Sequence, residues 1–181
     1  MAGLLLLVVS AMVVVAVWLS WTATRLDRMH HRIDLGRGTL DAQLLRRSGV
    51  TLELAASDAL DPASRLLLLD AAHHARNAEP AEMESAESAL SQALRGVLGR
   101  PQDVQALRVE PHLAPLLEEL AAASAKVELA RRFHNNDVAS ARVLRSRRRV
   151  RWLRLARRAR TLRTVDLDDV PPAALVATET E

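Results

Sequence analysis

Hydrophobic positions follow two different patterns along this chain. Residues 4–21, LLLLVVSAMVVVAVWLSW, are apolar everywhere except Ser10 and Ser20. As a helix this run would be roughly 27 Å long, close to the hydrocarbon thickness of a bilayer. Trp18 and Trp21 fall at one end, where aromatic rings favour a membrane interface, and Arg25, Arg28, Arg32 and Arg37 follow. A cleaved secretion signal carries positive side chains ahead of a shorter apolar core and a small-residue cleavage site behind it. No basic side chain precedes this run, and TAT at 22–24 is a weak cleavage site. The segment reads as a retained anchor in preference to a cleaved signal or a buried soluble helix. The arginines behind it place that side in the cytoplasm and the N-terminus outside.

Beyond residue 21 the apolar positions recur at helical spacing. Leu26, Met29, Ile33, Leu40 and Leu44 step by three, four and seven, so the first helix is expected to continue to about residue 57. Gly36 and Gly38 weaken it and suit a close helix contact or a kink. DALDPAS supplies a turn in which Asp61 caps a helix with Pro62 at its first position. That helix is predicted over 62–77, with Leu66, Leu69 and Ala72 on its inner face. The next is predicted over 80–98, with Met83, Ala86, Leu90, Leu94 and Val97 inward, ended by Gly99 as cap and Pro101 as stop. Residues 101–112 read as a connection with a short helical turn. A last helix starts near Pro111, with Leu116, Leu120, Ala123, Val127 and Ala130 on one face, and is expected to run to about residue 160. The remainder, ending LDDVPPAALVATETE, reads as an acidic, flexible tail with little packing capacity.

The pattern specifies an all-α protein. Residues 1–3 lie outside, 4–21 form a transmembrane helix, 22–160 form a cytoplasmic antiparallel bundle of three or four helices, and 161–181 form the tail. The first and last helices are long and of similar length, so a returning last helix would bring residues 142–163 to the membrane surface.

Composition narrows the chemistry. The chain has 181 residues and no cysteine, which excludes disulfides and thiolate chemistry. The net charge of +3 conceals a strong asymmetry. Residues 142–163 carry eleven arginines and no acid, whereas 1–141 sum to −3 and 164–181 to −5. In this basic stretch Arg147, Arg148, Arg149, Arg151, Arg154 and Arg158 surround Trp152, a combination suited to anionic lipid with the indole at the headgroup boundary. A basic helix end that complements the helix dipole and acidic neighbours is the plainer reading. Nucleic acid is the other alternative, because clustered arginines bind phosphate. No zinc finger, recognition-helix pair or aromatic stacking platform accompanies them.

No reaction is indicated. His30–His31 and His73–His74 are adjacent pairs, and neighbours on a helix do not share a face. Glu82, Glu84, Glu87, Glu118, Glu119 and Glu128 lack the Glu-x-x-His spacing of di-iron bundles and read as solvated faces. GRG at 36–38 has no strand–loop–helix context for phosphate. Neither an enzyme nor a bound cofactor or metal is expected. In ELARRFHNNDVASARVLRSRRR, residues 128–149, asparagines of low helix propensity interrupt a simple helix and call for partners. Arg131, His134 and Asn135 are the candidates for polar packing or partner contact, with Phe133 or His134 packing across the bundle and Asn135 bonding a neighbouring helix.

That stretch resembles the LemA family of bacterial membrane-anchored helical proteins. The family pattern, Ala-Arg-x-x-Tyr-Asn-x-x-Val, matches Ala130, Arg131, Asn135 and Val138, with His134 in place of the tyrosine. LDAQLLRR at 40–47 is similar to the segment after the family's anchor, and RRRVRWLRLA with the following DLDD resembles an actinobacterial branch. A second Tyr-Asn pair would fall at Ala141–Arg142 and is absent, as is the later Phe-Pro. The resemblance covers about residues 4–165. It implies an outward N-terminus, a helical bundle and no established catalytic activity. The expected protein is a scaffold or partner-binding module at the inner face of a bacterial membrane, touching the bilayer, anionic lipids and an unidentified protein partner.

Overall fold

The computed structural model describes residues 1–146 and 163–176; the side chains at 19, 22, 23, 25–27, 30 and 144–146 fall outside that description. Six helices occur among the described residues, and no strand does: α1 Ala2–Ala56, α2 Pro62–Asn77, α3 Met83–Leu98, α4 Pro101–Arg108, α5 Ala114–Ser146 and the short α6 Ala173–Val176. The all-helical expectation holds, with a long first helix. The chain forms two compact units, one of Met1–Leu35 with Asn136–Thr164 and the other of Gly36–Asn135 with Val165–Glu181.

In the first unit every residue from Met1 to Trp18 is helical or helix-flanking and exposed. Leu4, Leu5, Leu6 and Leu7 are 68–72 % exposed. Among the described residues no helix is both long and apolar enough to cross a membrane. Exposure continues to the end of the apolar run, where Trp21 is 65 % exposed. Further along, Ile33 packs with Val138 and Ala141, flanked by Met29, and Arg32 reaches Asp137 at 3.4 Å.

The second unit holds the main core. Leu54, Leu68, Leu90, Leu94, Leu98, Leu113, Leu117 and Leu120 are fully buried in one cluster. A smaller cluster joins Leu40 and Leu44 of α1, Val127 and Ala130 of α5, and Val165 and Leu167. Within this unit α1 and α5 run antiparallel: Gly36 lies against His134, and Arg46 pairs with Glu119 at 2.9 Å, so α1 ascends as α5 descends.

Local chemistry sets the helix ends. Asp61 accepts from the backbone N–H groups of Ala63 and Ser64 at 3.0 and 3.1 Å, and Pro62 occupies the first turn, where its missing N–H costs nothing. Hydrogen bonding from Ser64, its side chain first and then its backbone N–H, holds the Asp61 carboxyl below its usual range. α3 begins at Met83 and not at Pro80, because Glu79 accepts from both Glu82 and Met83 in a tight turn first. A Cβ on Gly99 would collide with the Arg95 carbonyl, so glycine is required where α3 ends. Pro101 is both stop and start: it opens α4, an eight-residue helix that buries Val104 and Leu107 where only a turn was expected.

Three expectations need correction. The inner face of α2 is Leu68, Ala71, Ala72 and Ala75, and Leu66 stands 69 % exposed; the leucine run 66–69 leaves the helical phase ambiguous. Glu87 is buried, not solvated. Residues 163–176 do pack: Val165, Leu167 and Leu175 are buried, because apolar residues alternate with aspartates whose charges meet arginines.

This assignment gives a direct contrast. Leu94→Ala opens a cavity in the main core and should cost about 2–5 kcal/mol, whereas Leu66→Ala should change stability by under about 0.5 kcal/mol. Urea unfolding of the two variants followed by circular dichroism measures both.

Candidate functional site

The densest set of directed polar contacts surrounds the extended segment 163–172, here called the strap, in the second unit from Val165 onward. α5 contributes Arg131 and Asn135, spaced i, i+4 and therefore on one face. α3 contributes Ser88 and Arg95, and on the same helix Glu87 and Ser91 meet α1 at Arg47.

The Asn135 side chain grips the strap backbone from both sides. Its amide donates to the Val165 carbonyl at 2.8 Å, and its carbonyl oxygen accepts from the Val165 N–H at 2.8 Å. A primary amide can present a donor and an acceptor side by side, as a peptide edge does, so it serves the strap as one residue of a neighbouring strand would. Next, the Ser88 hydroxyl accepts from the Asp168 N–H at 3.0 Å. Arg95 forks onto both oxygens of Asp168 and donates to the Val170 carbonyl at 2.8 Å. Arg131 forks onto Asp169 through Nε and a terminal nitrogen, at 2.6 and 3.0 Å. Farther along, Arg108 donates to the Leu175 carbonyl at 3.4 Å.

The strap is read in alternation. Val165, Leu167 and Asp169 are buried, and Asp166 and Val170 are exposed, the two-residue period of extended chain. The hydrogen bonds that Arg131 donates to Asp169 raise its guanidinium further above its already high range. The Arg95 fork holds the Asp168 carboxyl below its ordinary value of 3.8.

Beside the strap lies a buried ion pair. Arg47, 1 % exposed, donates to Glu87 Oε2 at 2.6 Å, to the Glu87 carbonyl at 3.3 Å and to Ser91 Oγ at 3.0 Å. Removal from water pushes the Glu87 carboxyl up, and the attraction of Arg47 pulls against that shift. The charge of Arg47 also favours ionised Asp168, so the pair and the strap share one electrostatic neighbourhood. On another side, Arg37, Asp41, Leu44, Arg76, Met83 and Glu87 are among the residues lining an open groove of about 320 Å³.

Of the residues singled out from sequence, Arg131, His134 and Asn135 come together here. His134 is 3 % exposed, and its Cα and Cβ lie 3.8 and 3.9 Å from where a Gly36 Cβ would stand. A side chain at Gly36 would thus make ordinary van der Waals contact with His134, so the packing of the two helices does not require glycine there. Phe133 points outward at 60 % exposure, so the histidine is the packing residue of the two. Asn135 bonds the strap backbone and not a neighbouring helix. Arg147, Arg148, Arg149, Arg151, Trp152, Arg154 and Arg158 lie outside the described residues. His73 and His74 are exposed, and among the described residues no three metal-ligating side chains converge.

Sequence reasoning missed Arg47, Glu87, Arg95, Asp168 and Asp169. Two signals were available. Leu40, Leu44, Arg47, Thr51 and Leu54 share one helical stripe, so a charge sits on the apolar face and needs a buried partner. VDLDD alternates apolar and acidic residues as an extended, half-buried segment does. Comparisons with family models, with curated proteins and with solved structures gave no match to this chain.

The two ends of the Arg131–Asp169 pair are unequally solvated, with side chains 22 % and 7 % exposed. Arg131→Gln strands a buried carboxylate and should cost about 3 kcal/mol, more than Asp169→Asn, which leaves a cation with access to water. Urea titration at neutral pH ranks them. The Asp168 carboxyl is depressed in the fold, so its stabilising effect is complete above 3.8 and fades as pH falls through the lower, folded value. The stability gap between wild type and Asp168→Asn should therefore be flat near neutrality and close in strong acid, which thermal melts across a pH series will show.

Proposed function

We propose that the chain is a single-pass, membrane-anchored bundle protein of the LemA kind. It presents a non-catalytic partner-binding module at the inner face of a bacterial membrane. The observation that supports this best is the uniform exposure of Met1–Trp18 on a helix that is apolar around its whole circumference. Such a helix in water exposes far more apolar surface than a soluble monomer carries, and a bilayer relieves that cost. The full sequence run, Leu4–Trp21, has the length for a span, with Trp18 and Trp21 at the end that leads into Arg25, Arg28, Arg32 and Arg37. The positive-inside bias then puts the bundle on the cytoplasmic side, beside anionic lipid.

Partner binding, as opposed to catalysis, is supported by the character of the best-formed site. Its side chains recognise backbone and carboxylates of an extended segment. Its buried Arg47–Glu87 pair sets charge against charge, as a structural ion pair does.

The anchor is tested by fractionating cells that express the full chain. The protein should remain in the membrane pellet after alkaline carbonate washing, and deletion of residues 2–21 should release it. Protease added outside intact cells should spare residues 25–181. Release of the intact full chain by carbonate alone, or digestion of the bundle from outside, would overturn this reading.

A further inference from the structure

The strap occupies its groove as a bound peptide occupies a receptor. It is extended, and among the described residues its backbone joins no strand. It is held across 30 to 80 residues of sequence by side chains from α3 and α5. The contacts divide into the two classes that peptide recognition uses. Backbone contacts come from Asn135 to both polar groups of Val165, from Ser88 to the Asp168 N–H and from Arg95 to the Val170 carbonyl. Side-chain contacts come from the Val165 and Leu167 seat against Leu40, Leu44, Val127 and Ala130, and from the two arginine forks. Backbone contacts supply affinity for any extended chain, and alternate side-chain seats supply selectivity. Together the seats read apolar, any residue, apolar, Asp, Asp.

We propose that this groove is a recognition site for an extended acidic segment of a partner protein, one reading apolar–x–apolar–Asp–Asp, and that the strap is its built-in competitor. The inference deepens the partner-binding reading above and rests on it, but does not depend on the anchor. The strap's own seating argues for the occupant, because residues 165–169 show which chemistry the groove accepts. Its attachment explains why the groove is filled: a tethered segment faces its site at an effective concentration in the millimolar range. A partner must exceed that, or bind when the strap is displaced. The strap suits displacement, since it has few buried apolar side chains, and Arg95 and Asp168 each keep about 30 % of their side-chain surface exposed.

The experiment uses the full-length chain in mild detergent and a fluorescein-labelled peptide of residues 163–176, RTVDLDDVPPAALV. Wild type should bind it weakly, because the strap competes. The strap variant Asp168→Asn/Asp169→Asn, with the groove intact, should bind about tenfold more tightly or better by fluorescence anisotropy. Adding Arg131→Gln and Asn135→Ala to that variant should abolish binding, as should Asp→Asn changes in the peptide. Helicity and a cooperative melt establish that each variant is folded. If the double variant fails to fold, Asp168→Asn alone weakens the more exposed fork and serves in its place. A folded strap variant that gains no affinity, or peptide binding that survives loss of Arg131 and Asn135, overturns the proposal. Membrane fractionation is blind to the groove and peptide binding in detergent is blind to the anchor, so failure of one is distinguishable from failure of the other.

Discussion

Asp168 and Asp169 are consecutive residues, yet their carboxylates are held by guanidiniums from different helices, Arg95 of α3 and Arg131 of α5. Successive side chains of an extended chain point to opposite faces, so only a segment lying between two helices can satisfy both arginines at once. The double fork therefore ties α3 to α5 through the strap. The same placement sends Val165 and Leu167 onto the α1–α5 seam, where Leu40, Leu44, Val127 and Ala130 would otherwise meet water. One stretch of chain closes a hydrophobic seam and neutralises two cations.

The buried ion pair lies beside this closure. A guanidinium as deeply enclosed as Arg47 has lost its water and must be repaid by hydrogen bonds and charge. Glu87 and Ser91 supply the hydrogen bonds, and Asp168 adds attraction from the strap. The Glu87 carboxyl is pushed upward by burial, whereas Asp168 is pulled downward by Arg95. Acidification thus acts in opposite senses on two groups of one neighbourhood: it relieves the cost of an ionised Glu87 and removes the hold on the strap.

How much of this was legible depended on whether local or distant physics decided the outcome. Helix phasing was read well where one apolar residue stood per turn, as at Leu40 and Leu44 or Leu90 and Leu94. It failed in the leucine run 66–69, where several phases bury a leucine and only contact with α3 selects Leu68. Caps at Asp61 and Gly99 are local and were legible; the second role of Pro101 followed from its fixed φ but required α4 to have a core to enter. Arg131, His134 and Asn135 drew notice because they disturb a simple helix. The partners of Arg131 and Asn135 did not, because Asp169 and Val165 lie 38 and 30 residues away in a stretch whose acidity and prolines suggest disorder. Composition averages over alternation, and alternation is what allows that stretch to pack.

The pairing of Asn135 with Val165 separates a recognising groove from a merely filled one. Apolar burial already opposes a shift of the strap by two residues, since Asp169 or Arg163 would enter one of the two apolar seats. The amide fixes the register, because it bonds both polar groups of a single residue. With Val165 placed, Asp168 and Asp169 fall under Arg95 and Arg131, and a shift of one residue in either direction leaves a guanidinium facing an aliphatic side chain or a backbone carbonyl. The charges enforce which sequence is accepted and the amide enforces where it lies. A surface that needed only to be covered would require neither.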